Sequence, residues 1–181
     1  MITVIDNFMD EEYHTALKEL FLSVNDRITW VYVPSNTSDH MPPPIEGYEG
    51  NVGIPQFVSQ FLNNAVWANQ DIVAPLLNKI EPDGLFRIMA NMKSKQESNV
   101  AGGWHYDPCP EMKEVGKNMV ALYYVNDNNG GTVFDDGTKV DCKENRMVLF
   151  PCSMAHAPIH QTDIQTRVII NINYYKKDNN D

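Results

Sequence analysis

The sequence has few basic residues and no long apolar run. Its 14 Lys and Arg are outnumbered by 24 Asp and Glu, which gives a formal net charge of -10, and the basic residues form no cluster. A protein that binds nucleic-acid phosphates needs such a cluster, so the sequence argues against a nucleic-acid partner. No segment approaches the roughly 20 apolar residues that cross a membrane as a helix, so we expect no membrane partner.

Cysteine is scarce as well. Cys109, Cys142 and Cys152 are an odd and widely spaced set, which suits a reducing compartment better than a disulfide framework. The first residues lack the basic flank and apolar run of a secretory signal. We therefore expect a cytoplasmic protein. The oligomeric state is not predicted.

The sequence does contain enough apolar residues, 43% of 181, to build the core of one domain. Residues 1–84 are expected to be mainly helical support and a loop. Asp10 is typical of a helix N-cap, and apolar spacing predicts further helices near residues 57–65 and 72–80. Residues 33–53, rich in Pro, Ser, Asn and Gly, predict a long loop that is either a lid over a site or a disordered segment.

From residue 85 the pattern changes to short runs of Val, Ile, Tyr and Phe separated by turn residues. Such runs are typical of strands. The predicted strands are 85–93, 119–126, 132–134, 138–140, 146–150 and 167–175. Helices followed by an antiparallel strand series predict an α+β, mainly β fold, a jelly roll with N-terminal supporting helices. Residues 176–181 form a polar tail.

His105-Tyr106-Asp107 places two metal-ligand side chains at alternate positions. Alternate residues of an extended chain project from the same face, so this imidazole and carboxylate can reach one ion. His156 follows an apolar strand that ends at Pro151 and supplies a third ligand. Two histidines and one carboxylate form the facial triad of non-haem Fe(II) enzymes, which leaves coordination positions open. His160 is the other candidate for the third ligand, and otherwise a loop histidine.

Arg167 opens the last predicted strand, and its period-two neighbours Asn171 and Asn173 give that strand one polar face. A guanidinium binds a carboxylate through two parallel hydrogen bonds. An arginine in the most apolar run of the chain is therefore expected to line a polar pocket that receives an acid.

Taken together, these motifs resemble the 2-oxoglutarate/Fe(II)-dependent dioxygenases, particularly the prolyl-4-hydroxylase-like branch, over residues 85–175. The resemblance is carried by the order of four motifs. They are His105-Tyr106-Asp107, Tyr124-Val125-Asn126 ahead of Gly130-Gly131-Thr132-Val133-Phe134, Leu149-Phe150-Pro151 ahead of His156, and Arg167. Many members of that branch have Lys where this chain has Arg167, and the substrate-side region matches nothing in the pattern.

The resemblance implies a double-stranded β-helix in which His105, Asp107 and His156 hold Fe(II) and Arg167 pairs with the distal carboxylate of 2-oxoglutarate. Tyr124, or Tyr123 on the opposite face, would donate a hydrogen bond to this cosubstrate. It also implies a hydroxylase that uses O2, forms succinate and acts on a protein side chain or a small molecule, with ascorbate as a candidate reductant.

The resemblance further places a polar inner-strand residue at Asn91. Trp104, Tyr106 and Phe134 are candidate pocket walls, although aromatic side chains in such positions are more often ordinary core.

Two other functions use the same residues. His105 and Cys109, with Cys152 and His156, could form a structural zinc site, but this arrangement leaves Asp107 and Arg167 without a role. A jelly roll that binds metal without catalysis is the second alternative.

Overall fold

The computed structural model describes residues 1–34, 45, 47–50, 54–98, 100–108 and 117–177. Its elements in chain order are β1 (Thr3–Ile5), α1 (Glu11–Leu22), β2 (Val31–Val33), β3 (Glu49–Gly50), β4 (Gln56–Asn63), β5 (Val66–Trp67), α2 (Gln70–Ile80), β6 (Gly84–Ser94), β7 (Val100–Ala101), β8 (Asn118–Tyr124), β9 (Gly131–Phe134), β10 (Lys139–Asp141), β11 (Arg146–Pro151), β12 (His156–Ile159) and β13 (Thr166–Tyr175).

These strands form two sheets. The larger runs β1-β11-β8-β13-β6-β4-β2, with β5 paired to β4, and the smaller runs β10-β9-β12-β7-β3. The described pairings are antiparallel except for β3 with β7, which is parallel. Long crossovers between neighbouring strands are typical of the double-stranded β-helix, a form of jelly roll.

Strand β13 shows how the larger sheet divides two environments. Its alternate residues Val168, Ile170 and Ile172 join the core that packs under α1 and α2. The intervening side chains of Arg167 and Asn171 line a cavity. The polar and apolar faces predicted for this strand are therefore confirmed, and the polar face is the one that reaches the site.

The helix predicted to begin after Asp10 is confirmed, because the Asp10 side chain caps α1 by accepting a hydrogen bond of 2.8 Å from the Tyr13 amide. The helix predicted over 72–80 is also confirmed as α2, with Pro75 inside it.

The helix predicted near residues 57–65 is wrong, because this segment is strand β4, paired to β6. A register shift between Gln60 and Leu62 buries the adjacent residues Phe61 and Leu62 together. The irregularity breaks the two-residue alternation of a strand and imitates helical spacing. Residues 1–84 are therefore not mainly helical, since β4 extends the larger sheet.

The six strands predicted after residue 85 are present with small shifts at their ends. β7 and β12 were not predicted. Most of the predicted loop at 33–53 lies outside the described residues, so its role as a lid or a disordered segment stays a prediction. β3 falls within this range.

Cys152 is disulfide-bonded and Cys142 is a buried free thiol, so the expectation of reduced thiols is wrong for Cys152. In the part of the chain that the structure describes, no helix is long and apolar enough to cross a membrane.

Candidate metal centre and carboxylate pocket

A backbone bridge brings the two predicted histidine ligands together. His105 and His156 exchange backbone hydrogen bonds of 3.0 Å in both directions, and their ring centroids lie 4.3 Å apart. Asp107, two residues after His105, projects to the same place, so the potential ligand atoms of the three residues all lie within 4.8 Å of one another. His156 is the first residue of β12, a strand missed by sequence reasoning because Pro158 interrupts its pattern.

Each histidine is oriented by a carbonyl two residues before it. Nδ1 of His105 lies 3.2 Å from the Gly103 oxygen, and Nδ1 of His156 lies 3.3 Å from the Met154 oxygen. A carbonyl can only accept, so Nδ1 carries the proton and Nε2 presents its lone pair. Nε2 of His156 lies 3.8 Å from Oδ2 of Asp107. The site therefore offers two imidazole nitrogens and one carboxylate oxygen at one point.

The charge states suit a divalent metal. Burial lowers the pKa of His105 and lowers that of His156 to about 4, so both rings are neutral near pH 7. Burial opposes ionisation of Asp107, but the charge that His156 carries at acid pH, the charge of Arg87 and the hydrogen bond from Asn171 outweigh it and hold the pKa of Asp107 below the ordinary value. Neutral imidazoles and an ionised carboxylate are the forms that bind metal.

Asp107 is held by a closed ring of hydrogen bonds. Arg87 donates from Nη2 to Asp107 Oδ1 at 2.8 Å and from Nε to Asn173 Oδ1 at 2.9 Å. Asn173 donates to Asn171 Oδ1 at 3.2 Å, and Asn171 donates to Asp107 Oδ2 at 2.9 Å. The ring uses both carboxylate oxygens, so it fixes the plane of this ligand.

The donor set fits Fe(II) better than a structural zinc site. Two imidazoles and one carboxylate leave open positions, as the facial triad requires, whereas a zinc site of two Cys and two His needs thiolates. Cys152 is disulfide-bonded and supplies none in this form, and Cys109 lies outside the described residues.

Arg167 lines the same cavity and is fully buried. It donates to the carbonyls of Ile159 at 2.6 Å and Gly131 at 2.8 Å, which leaves its Nε without a hydrogen-bond partner among the described residues. The ring of Tyr124 lies 5.8 Å from its guanidinium carbon. A buried, incompletely paired guanidinium is suited to an anionic ligand.

The two tyrosine alternatives are separated by the pleat of β8. Tyr123 points towards α1, where its hydroxyl lies 2.8 Å from His14 Nδ1 and donates to Asn145 at 2.9 Å. Tyr124 points inwards beside Arg167 and donates to Thr132 Oγ1 at 2.8 Å. Thr132 and Asn91 both line the cavity. The geometry thus favours Tyr124, while the contact of Tyr124 or Asn91 with a cosubstrate stays a prediction.

The cavity that joins these groups measures about 1290 Å³. Trp104 and Tyr106 line it near the histidines. Phe134 instead packs against Phe150 and His156 in the core. Residues of β2 and β4 also line the cavity, namely Val31, Val33, Gln56, Val58, Ser59 and Gln60.

Two functional candidates, Arg87 and Lys93, escaped sequence reasoning. Arg87 and Lys93 lie on the cavity side of β6. They alternate with Asn91 along the strand, and this spacing in the sequence could have identified them. His160, read as a loop histidine, is buried, and burial lowers its pKa to about 2, helped by the charges of Lys93 and Arg167. It does not belong to the triad, which contains His156.

Comparisons with known proteins bear on the fold. No protein-family model matches the sequence, and no curated protein matches it either. An oxidoreductase of the 2OG-Fe(II) oxygenase family from Burkholderia pseudomallei superposes with a TM-score of 0.63 at 11% identity, over 98% of this chain and 86% of that chain. A prolyl hydroxylase from Trichoplax adhaerens, in complex with a hypoxia-inducible-factor peptide fragment, gives 0.59 at 15% identity, over 97% and 83%.

A third solved structure is the non-haem α-ketoglutarate-dependent epimerase SnoN from nogalamycin biosynthesis, with a TM-score of 0.61 at 12% identity, over 97% of this chain and 78% of that chain. At such identities the likeness concerns the fold. The chain has the double-stranded β-helix fold of the 2-oxoglutarate/Fe(II) oxygenases, prolyl hydroxylases among them, and the predicted fold class is confirmed.

Proposed function

We propose that this chain is a 2-oxoglutarate- and Fe(II)-dependent oxygenase. The observation that carries the proposal is the placement of a His105, Asp107 and His156 cluster and the buried Arg167 in one cavity. A metal that keeps open positions and a buried cation in the same cavity together suit an acid that chelates the metal at one end and binds the cation at the other.

Each protein group has a distinct task in this proposal. His105, Asp107 and His156 would hold Fe(II), and Arg167 would bind the distal carboxylate of 2-oxoglutarate. When bound, the metal and cosubstrate supply the oxidising chemistry, which consumes O2 and yields succinate and carbon dioxide. The ring of Arg87, Asn171 and Asn173 keeps the Asp107 carboxylate ionised and oriented. Trp104 and Tyr106 would limit the access of water to the metal.

We infer that the reaction is hydroxylation of a C–H bond, in a protein side chain such as prolyl or in a small molecule. The cavity of about 1290 Å³ exceeds the roughly 300–1,000 Å³ of ordinary ligand sites, so it can accommodate a second substrate beside the cosubstrate. The two substrate classes have precedents in the fold, since the Trichoplax structure contains a peptide and a SnoN structure contains nogalamycin RO.

The experiment is succinate formation by the purified protein with 2-oxoglutarate, Fe(II), O2 and ascorbate. We expect slow turnover without a primary substrate, dependent on Fe(II) and abolished by Asp107→Ala. The exposed Asp26 provides the matched control, because Asp26→Ala removes a carboxylate that belongs neither to the ligand cluster nor to the cavity lining. Metal binding without succinate formation, even after a panel of peptides and small molecules has been offered, would instead support the alternative of a non-enzymatic metal-binding jelly roll.

A further inference from the structure

Lys93 lies directly across from Arg167. The two residues are paired in the register of β6 and β13, so their side chains emerge on the same face of the sheet, and both line the cavity. Lys93 is 5% exposed and Arg167 is 0% exposed. Two cations that share a buried face are rare without a counter-ion.

No counter-ion for this pair is present in the described part of the chain. The Lys93 ammonium and the Arg167 Nε have no hydrogen-bond partner there. Asp107, a carboxylate of the same cavity, is already bound by Arg87 and Asn171. Among the described residues, therefore, no acidic side chain neutralises the positive charge of this pair.

The other titratable groups packed in this region do not compensate. Burial, followed by the charges of Lys93 and Arg167, lowers the pKa of His160 to about 2. Burial raises the pKa of Tyr124 to about 12 and raises that of Cys142. All three stay uncharged near pH 7. Burial and the charge of Arg167 also lower the pKa of Lys93 to about 7.

We propose that Lys93 is a second binding residue for the distal carboxylate of the 2-oxo acid, sharing it with Arg167 and selecting dicarboxylic over monocarboxylic 2-oxo acids. The inference rests on the proposed function and adds a residue to it. A carboxylate has two oxygens and about four acceptor positions, so it can receive hydrogen bonds from a guanidinium on one strand and an ammonium on the next.

Two consequences distinguish this role from a structural one. Without ligand, a buried unpaired lysine destabilises the fold, so its replacement by an apolar side chain of similar length should not lower stability. A bound carboxylate favours the charged lysine, so binding above the pKa of Lys93 should take up a proton.

The experiment uses Lys93→Met and the exposed-lysine control Lys95→Met, both loaded with Mn(II) to prevent turnover. Calorimetry measures the affinities for 2-oxoglutarate and for 2-oxopentanoate, which lacks the distal carboxylate. We expect Lys93→Met to weaken 2-oxoglutarate binding about tenfold to a hundredfold, as for a lost charged hydrogen bond, and to leave 2-oxopentanoate binding unchanged. Lys95→Met should match the wild type with both acids.

Two further measurements complete the test. Titrations at about pH 8 in two buffers of different ionisation enthalpy should show proton uptake in the wild type and less in Lys93→Met. Thermal unfolding without ligand should give Lys93→Met a melting temperature equal to or above that of the wild type. A lower melting temperature with unchanged 2-oxoglutarate affinity would make Lys93 structural and overturn its binding role. Absence of 2-oxoglutarate binding by the metal-loaded wild type would overturn the proposed function itself.

Discussion

Arg87 Nη2 donates to Oδ1 of Asp107 at 2.8 Å, and this pair links a central strand of the larger sheet to the carboxylate of the candidate metal centre. The Asp107 side chain is 3% exposed and that of Arg87 is 20% exposed. The pair is therefore largely shielded from water, unlike the ion pair of Arg27 with Asp71, whose side chains are 49% and 70% exposed. Shielded pairs orient their partners more strongly than exposed ones.

Replacing Arg87 should therefore weaken metal binding. Arg87→Gln removes the charge that helps keep Asp107 ionised and breaks the ring that orients its carboxylate. We expect the metal affinity to fall about tenfold to a hundredfold, as is usual for groups that orient a ligand. Titration with Fe(II) under anaerobic conditions measures it. Arg27→Gln is the matched control and should bind metal like the wild type; equal affinities for both variants would show that Arg87 does not support the ligand.

The choice between two histidines gives a second prediction. His156→Ala should abolish metal binding, because it removes one of three ligands. His160→Ala should bind metal within about twofold to threefold of the wild type, since His160 lies outside the cluster. If His160→Ala abolished metal binding and His156→Ala did not, His160 would be the ligand and His156 would not. Because both rings are buried, the folded state of each variant should be checked by circular dichroism before the metal titration.

The cluster of candidate metal ligands was predictable from sequence because its signal is local. His105 and Asp107 are two positions apart, and a single backbone bridge supplies the long-range pairing with His156. Arg167 was predictable because it interrupts an otherwise apolar strand. In each case one residue departs from the pattern of the residues around it, and such departures are expected at functional sites.

Arg87 and Lys93 were not predictable in the same way. On a strand with a mixed pattern, a basic residue is normally solvent-exposed. The alternation with Asn91 shows that Arg87 and Lys93 share a face of β6, but the pairing of β6 with β13 is needed to place that face towards a cavity. The misassignment of β4 has a similar cause. Its register shift depends on pairing with β6, a tertiary contact that spacing along the chain does not contain.

The third prediction concerns the two tyrosines of β8. Tyr123→Phe removes the hydroxyl that contacts His14 and donates to Asn145, so it should lower the free energy of unfolding by about 1–3 kcal/mol. It should leave 2-oxoglutarate binding unchanged, because this side chain faces α1. Tyr124→Phe should weaken 2-oxoglutarate binding instead, since its hydroxyl and Thr132 lie beside Arg167. Urea unfolding and calorimetry on both variants test the difference; weaker cosubstrate binding by Tyr123→Phe alone would reverse the assignment.

The last prediction concerns acid stability of the metal-free protein. Burial lowers the pKa of His160 to about 2 and that of His156 to about 4, whereas a histidine in the unfolded chain titrates near about 6.5. Below that pH the unfolded chain takes up protons that the folded protein excludes. The free energy of unfolding should therefore fall as the pH falls, by up to about 1.4 kcal/mol per pH unit for each such histidine.

His160→Gln should reduce this slope by up to the contribution of one histidine, about 1.4 kcal/mol per pH unit. Urea unfolding between about pH 6.5 and 4.5 in the presence of a chelator measures it.

Asp6 provides the control, because its pair with Arg146 holds its pKa at about 2. Such a paired carboxylate adds to the free energy of unfolding above the pKa of Asp in the unfolded chain, about 3.9. This contribution is lost only as the pH falls below that value. Asp6→Asn should consequently leave the slope in the histidine window unchanged, and a His160→Gln slope equal to that of the wild type would mean that His160 accepts a proton in the folded protein.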